Sequence, residues 1–160
     1  MDAKQFFFEA MMHGWAASAP RTIIPGLPGS KSTSFRLGDY SLLDCYFAAP
    51  DSNSSYGMKI IWLAEKPIWV MNFGGWYDKK VVPFLKRALM CNYRDNIFLG
   101  GRGPERLEGE DHTLQYLNEV KQNDFGNFQG YEHIIATSDQ IGVSAGQKLG
   151  EHHYFGGLLA

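Results

Sequence analysis

The chain has 160 residues, 44% of them hydrophobic and 20% charged, with 15 basic against 17 acidic side chains for a formal charge of −2. That balance suits one compact folded domain spanning residues 1–160 and excludes a disordered chain. It leaves no basic excess to neutralise a nucleic-acid backbone, and no run is apolar for long enough to cross a bilayer, so neither nucleic acid nor membrane is expected as a partner.

The predicted elements begin with a helix. Asp2 followed by Gln5 is a helix start signal, and Phe7, Ala10, Met11 and Trp15 follow helical spacing, so a helix is predicted over about 3–16. Ala17-Ser18-Ala19 resembles a signal-cleavage site. Glu9 and His13 interrupt the apolar stretch before it, however, and Lys4 is its only basic flank, so the expectation is an amphipathic helix of a cytoplasmic protein. Pro20, Pro25 and Pro28 with Gly26 and Gly29 predict a loop. The next stretch, Leu27-Pro28-Gly29-Ser30-Lys31-Ser32-Thr33-Ser34-Phe35-Arg36, resembles the phosphate-binding signature of the enolpyruvyl-shikimate-phosphate synthases, which implies anion binding by Lys31 and Arg36. Those enzymes are much larger two-domain chains, and Phe35 stands where they carry Asn. The stretch is therefore read as a solvated turn.

Tyr40–Phe47 reads as a strand with Leu42, Asp44 and Tyr46 on one face and Leu43, Cys45 and Phe47 on the other. Asp51 to Ser55 is a polar turn. Gly57–Phe73 then reads as a central hairpin about Ala64-Glu65-Lys66-Pro67. Its second arm puts Trp69, Met71 and Phe73 on one side and Ile68, Val70 and Asn72 on the other. Both sides are apolar, so each calls for a covering layer or subunit. Pro83 suits the first turn of a second helix over about 82–92, and Gly100–Gly109 reads as an exposed, charged loop. Strands are predicted over about His112–Val120, Asn127–Thr137, Ile141–Ser144 and His152–Leu159, with turns at Asn123-Asp124 and Ser144 to Gln147. The fold class is α+β with a mostly antiparallel sheet.

Cys45 and Cys91 read as reduced thiols. His13, His112, His133, His152 and His153 show no metal-ligand spacing, and no nucleophile elbow occurs, so neither a metal nor a cofactor is expected. The informative residues are polar ones inside apolar strands, namely Asp44, Asn72 and Glu132, because each must be paired, hydrogen-bonded or wet. If their strands converge on a concavity, these three with Tyr46 and Tyr154 are the candidate ligand-binding set.

The pieces FFFEA, GDYSLLDCYF, KPIWVMNFGG, FQGYEHI and HYFGGLL, spread over most of the chain, resemble an uncharacterised bacterial domain-of-unknown-function family. The resemblance implies a shared fold. Relatives attached to helix-turn-helix regulators imply a sensing or binding role, while this chain leaves no room for such a unit beside the domain. The leading reading is a domain that binds a small molecule or peptide. The alternatives are a small hydrolase or lyase using Asp44 and Glu132 as acid and base, and a homodimeric interaction protein.

Overall fold

A capping box opens the chain: the Gln5 amide donates to the Asp2 carboxylate (2.8 Å), and the Asp2 amide donates to the Gln5 side chain (3.0 Å). It starts helix α1 (Ala3–Met12), which buries Phe6, Phe7, Phe8, Ala10 and Met11. The helix stops short of residue 16 because His13 and Gly14 donate to the carbonyls of Ala10 and Met11, tightening the last turn. The computed structural model describes residues 1–140 and 142–159.

Eight strands follow: β1 (Ser30–Leu37), β2 (Tyr40–Phe47), β3 (Ser54–Leu63), β4 (Lys66–Tyr77), β5 (Arg106–Glu108), β6 (Leu114–Asp124), β7 (Asn127–Ala136) and β8 (Lys148–Leu158). They form one sheet in the order β1-β2-β3-β4-β8-β7-β6-β5, with antiparallel neighbours throughout. Two four-stranded meanders are thus joined by β4 and β8. Helix α2 (Val82–Arg94) links them, with Pro83 in its first turn. The chain is α+β, and the sheet dominates it. Among the described residues no helix is long and apolar enough to cross a membrane.

The β3–β4 hairpin occupies the middle of the sheet. Ala64 and Glu65, both at positive φ (46° and 66°), make its two-residue turn, whose twist matches that of the flanking strands. Register then carries one face across the molecule: Leu42 opposes Ile61, which opposes Trp69, and Met71 opposes Gly156, which opposes Phe128. Both helices cover this inner face, where Phe7 packs on Trp69, Tyr93, Phe98 and Phe125. The outer face has no such layer. Tyr56, Met58 and Phe155 remain 65%, 42% and 58% exposed, and Trp62, further along β3, is half-buried. Within the chain, the cover expected on both sides of the hairpin is supplied on the inner side by the two helices.

Several expectations need correction. Residues 30–36, read as part of a solvated turn, fall in edge strand β1. β2 pairs with it on one side, and a bridge from Thr22 to Ser32 protects the other. Lys31 and Arg36 are an odd number of residues apart, so they point to opposite faces and do not converge on one anion. Asn123 and Asp124 end β6, and the turn falls on Phe125 and Gly126. Of the strand expected over Ile141–Ser144, Ile141 lies outside the described residues, and Val143 makes one isolated bridge to Gln140.

The largest departure concerns Gly100–Gly109. Gly100 to Gly103 are buried rather than exposed, and Arg102 enters the core with its side chain. Glycine makes this passage feasible, because a Cβ on Gly100 would lie 2.2 Å from the Tyr154 ring and one on Gly103 2.8 Å from the Tyr116 ring. Asn92 donates to the Arg102 carbonyl (3.0 Å), Tyr93 to that of Gly101 (3.1 Å) and Asn118 to that of Gly103 (2.8 Å).

Candidate functional site

Alternation along β2, β3, β4, β7 and β8 brings a row of polar groups onto the covered face. Asp44 opposes Lys59 across β2 and β3, and Lys59 Nζ donates to Asp44 Oδ2 at 2.6 Å with both side chains nearly inaccessible. Glu132 opposes His152 across β7 and β8. Glu132 is 0% exposed; it accepts from Arg102 on one oxygen and from the Tyr116 hydroxyl, at 2.5 Å, on the other. Phe73 lies between the two ion pairs, its ring centre 4.6 Å from Lys59 Nζ and 5.9 Å from the Arg102 guanidinium.

The Asp44–Lys59 pair, Phe73, Arg102 and His152 form the floor of a two-part cavity. An inner chamber of about 50 Å³ is lined by Asp44, Lys59, Phe73, Arg102 and His152 among others. It shares Trp15, Tyr46, Ser55, Leu85 and His152 with a cleft of about 500 Å³, whose walls add Arg21, Lys31, Lys79, Lys86 and Tyr77. At the mouth Arg21 donates to the Tyr46 hydroxyl (2.9 Å), and Lys86 lies 4.8 Å over the Trp15 ring. On the residues that line the inner chamber, three buried atoms make no hydrogen bond among the described residues: Asp44 Oδ1, Arg102 Nε and His152 Nδ1. Buried polar atoms are ordinarily paired, so this concentration marks the floor as a place built to meet something else.

The electrostatics separate the charged groups. Burial disfavours the Glu132 charge, but the charge and hydrogen bond of Arg102, with the Tyr116 hydrogen bond and His152, together hold the carboxyl below the usual carboxylate range. Burial pushes the Lys59 ammonium down, with Asp44 opposing and Arg102 reinforcing the fall. Burial, together with the charge of Arg102, pushes the His152 imidazole down to about 3. The unfolded chain takes up a proton as pH falls through the ordinary histidine value, while the folded chain stays neutral there down to about 3. Stability therefore falls as pH drops through that window, and the depressed Glu132 adds to the loss further down. The urea midpoint is expected to fall clearly between about pH 7.5 and about pH 5, and less so in His152→Gln. Equal midpoints at the two pH values in the parent protein would show that His152 is not held neutral by the fold.

The sequence-derived set divides. Asp44 and Tyr46 line the cavity. Glu132 shares their face but stands behind the chamber, reaching it through Arg102. Its two oxygens are both occupied, so the geometry offers no acid–base partnership between Asp44 and Glu132. Tyr154 is buried on the same face and donates to Asn118 Oδ1 (2.6 Å), supporting the 100–103 passage rather than the cavity. Asn72 points to the outer face, between Met58 and Phe155, and has no part in this site. Reading the sequence missed Lys59, Arg102 and His152. Lys59 carried the signal that picked out Asp44, a lone charge inside the apolar run Met58 to Trp62. Arg102, in a glycine-rich stretch with no periodicity, carried none. Among the described residues no group of three or more His, Cys, Asp or Glu side chains is placed to hold a metal ion.

No curated protein and no solved structure matches the chain. A family model does, over residues 44–159, a span that starts at Asp44 and takes in Lys59, Arg102, Glu132 and His152. That span is well over half of the chain, and the protein belongs to the family described as Domain of unknown function (DUF5680).

Proposed function

We propose that the protein binds a small organic anion in the cleft between the Trp15 to Arg21 segment that follows α1, helix α2 and the inner face of the sheet, and serves as a ligand-sensing module. One observation carries the reading. Among the described residues, Arg21, Lys31, Lys79 and Lys86 around the cleft and Lys59 and Arg102 at its floor are set against one lining carboxylate, that of Asp44. A concave surface with one sign of charge concentrates ligands of the other. Trp15, Tyr46, Phe73 and Tyr77 supply apolar walls, so the favoured ligand is a carboxylate or phosphate carrying a flat or apolar body. The regulatory part of the proposal comes from the family resemblance.

Calorimetric titration with benzoate and with phenyl phosphate tests the reading. One equivalent of at least one probe is expected to bind, more weakly as salt is raised, and not at all in the variant Arg21→Glu/Lys31→Glu. Arg21 is exposed and Lys31 half-buried, so the fold of that variant is retained. Absence of binding by both probes, or binding that the variant leaves intact, would refute the proposal.

A second reading, self-association, is favoured by the outer face. Met58, Asn72 and Phe155 lie side by side across β3, β4 and β8, with Tyr56 next to them. Exposed apolar surface of this kind is typical of interfaces. A two-fold dimer in sedimentation velocity that dissociates in Phe155→Glu is the expected result on this reading; a monomer at all concentrations overturns it.

A further inference from the structure

We infer that Lys59 is a nucleophile that forms a carbon–nitrogen double bond with the carbonyl of a 2-oxo acid held in the cleft. The inference rests on the anion-binding reading and adds to it the carbonyl that the ligand must carry. Of the six cations that line the two chambers, only Lys59 presents an amine at the floor. The other amines, on Lys31, Lys79 and Lys86, line the outer cleft. A buried ammonium–carboxylate pair is a poor stabilising device, since apolar side chains of similar size serve as well. Here the pair borders a chamber that opens to the cleft through Tyr46, Ser55 and His152.

Four features of that chamber suit amine chemistry. Arg102 lines it together with Lys59, and a second cation in a desolvated site favours the neutral, nucleophilic amine. The shift of Lys59 runs in the same direction, with burial its main cause. Arg102 Nε is an unpartnered, buried donor on a fixed cation, suited to a carboxylate. Asp44 holds Lys59 through Oδ2 and keeps Oδ1 free, so it can receive a proton from the amine and deliver it elsewhere. A chamber of about 50 Å³ admits a carbonyl and its adjoining carboxylate, leaving the remaining substituent in the larger cleft.

The step balances without a co-reactant. Asp44 removes one proton from the Lys59 ammonium, and the freed electron pair forms a bond to the carbonyl carbon while the carbon–oxygen π pair moves onto oxygen. Asp44 shuttles two protons in turn from the nitrogen to that oxygen. The carbon–oxygen bond then breaks, water leaves, and a protonated imine remains with Asp44 ionised as at the start. The carboxylate stays on Arg102 throughout.

Intact protein incubated with pyruvate and sodium cyanoborohydride, followed by mass spectrometry and peptide mapping, tests the inference. The expected result is one reduced pyruvate adduct per chain, located on Lys59. Acetone, which has the carbonyl but no carboxylate, is expected to label Lys59 about tenfold more slowly or less. Asp44→Asn is expected to slow labelling of Lys59 while the circular dichroism spectrum is unchanged. Lys59→Met paired with Asp44→Leu removes both buried charges together and is expected to abolish the adduct in a folded protein. Mapping the parent protein needs no variant to fold. No adduct, or adducts spread evenly over surface lysines, overturns the inference. Calorimetry with pyruvate in the absence of reductant separates the two readings. Binding without trapping refutes the Lys59 chemistry and leaves the anion site standing, and neither binding nor trapping removes both for this ligand class.

Discussion

Glu132→Ala is expected to destabilise the fold by about 3–5 kcal/mol, because it strands the Arg102 guanidinium in the core without its counter-charge. Nothing else in the chamber replaces that partner. Asp44, the other carboxylate, is taken by Lys59, and His152 is held neutral. Tyr116 would also lose the acceptor for its hydroxyl. The cost is one of unpaired charge rather than lost packing, and a second variant separates the two. Arg102→Met combined with Glu132→Leu removes both charges while keeping much of the volume, and is expected to recover most of the loss in urea denaturation. If the double variant is no more stable than Glu132→Ala, the damage lies in the packing of the 100–103 passage and the ion-pair account fails.

The contrast between these two residues shows what can be read from a sequence of this kind. Glu132 was visible as a carboxylate in an apolar strand, and Asp44 likewise, because alternation assigns a face within each strand. That the two faces are the same face depends on β4 pairing with β8, a contact between residues some eighty positions apart that no local pattern encodes. Arg102 was invisible for a different reason. Gly100, Gly101 and Gly103 have the composition of an exposed loop, and the rings of Tyr154 and Tyr116 that turn those glycines into a buried passage come from β8 and β6. The strand at Tyr40–Phe47 and the β3–β4 hairpin were legible because period-two alternation and a tight turn are local. Strand β1 is not, because its serines and charged residues give no apolar period, and it is pairing with β2 and the Thr22 bridge that makes it a strand. Asn72 is, like Asp44, a polar residue in an apolar strand, and its parity puts it on the face opposite Trp69 and Met71. The outer face on which it sits is wet, so no buried partner was needed.

Trp69→Ala is expected to cost about 3–5 kcal/mol, the range for removing a large buried aromatic side chain. Trp69 is 0% exposed at the centre of the sheet, stacked on Phe125 and Phe128 at ring-centre distances of 5.3 and 5.4 Å and packed against Phe7 of α1. It thus ties the first meander to the second and both to the helical layer, so its loss opens a cavity that no single element can collapse into. Its indole nitrogen also donates to the Phe125 carbonyl at 2.9 Å, in the turn between β6 and β7, and truncation leaves that acceptor without the bond. Trp69→Phe keeps most of the volume and loses the donor, so it separates the two contributions and is expected to cost about 1–2 kcal/mol. Trp62→Ala, on the outer face of the same hairpin, provides the internal control. Its ring is half-buried with no helix over it, and its effect on the urea midpoint is expected to be much the smaller of the two. Equal losses at positions 62 and 69 would mean that the outer face is covered as closely as the inner one, which is the result that a tight dimer through that face would give.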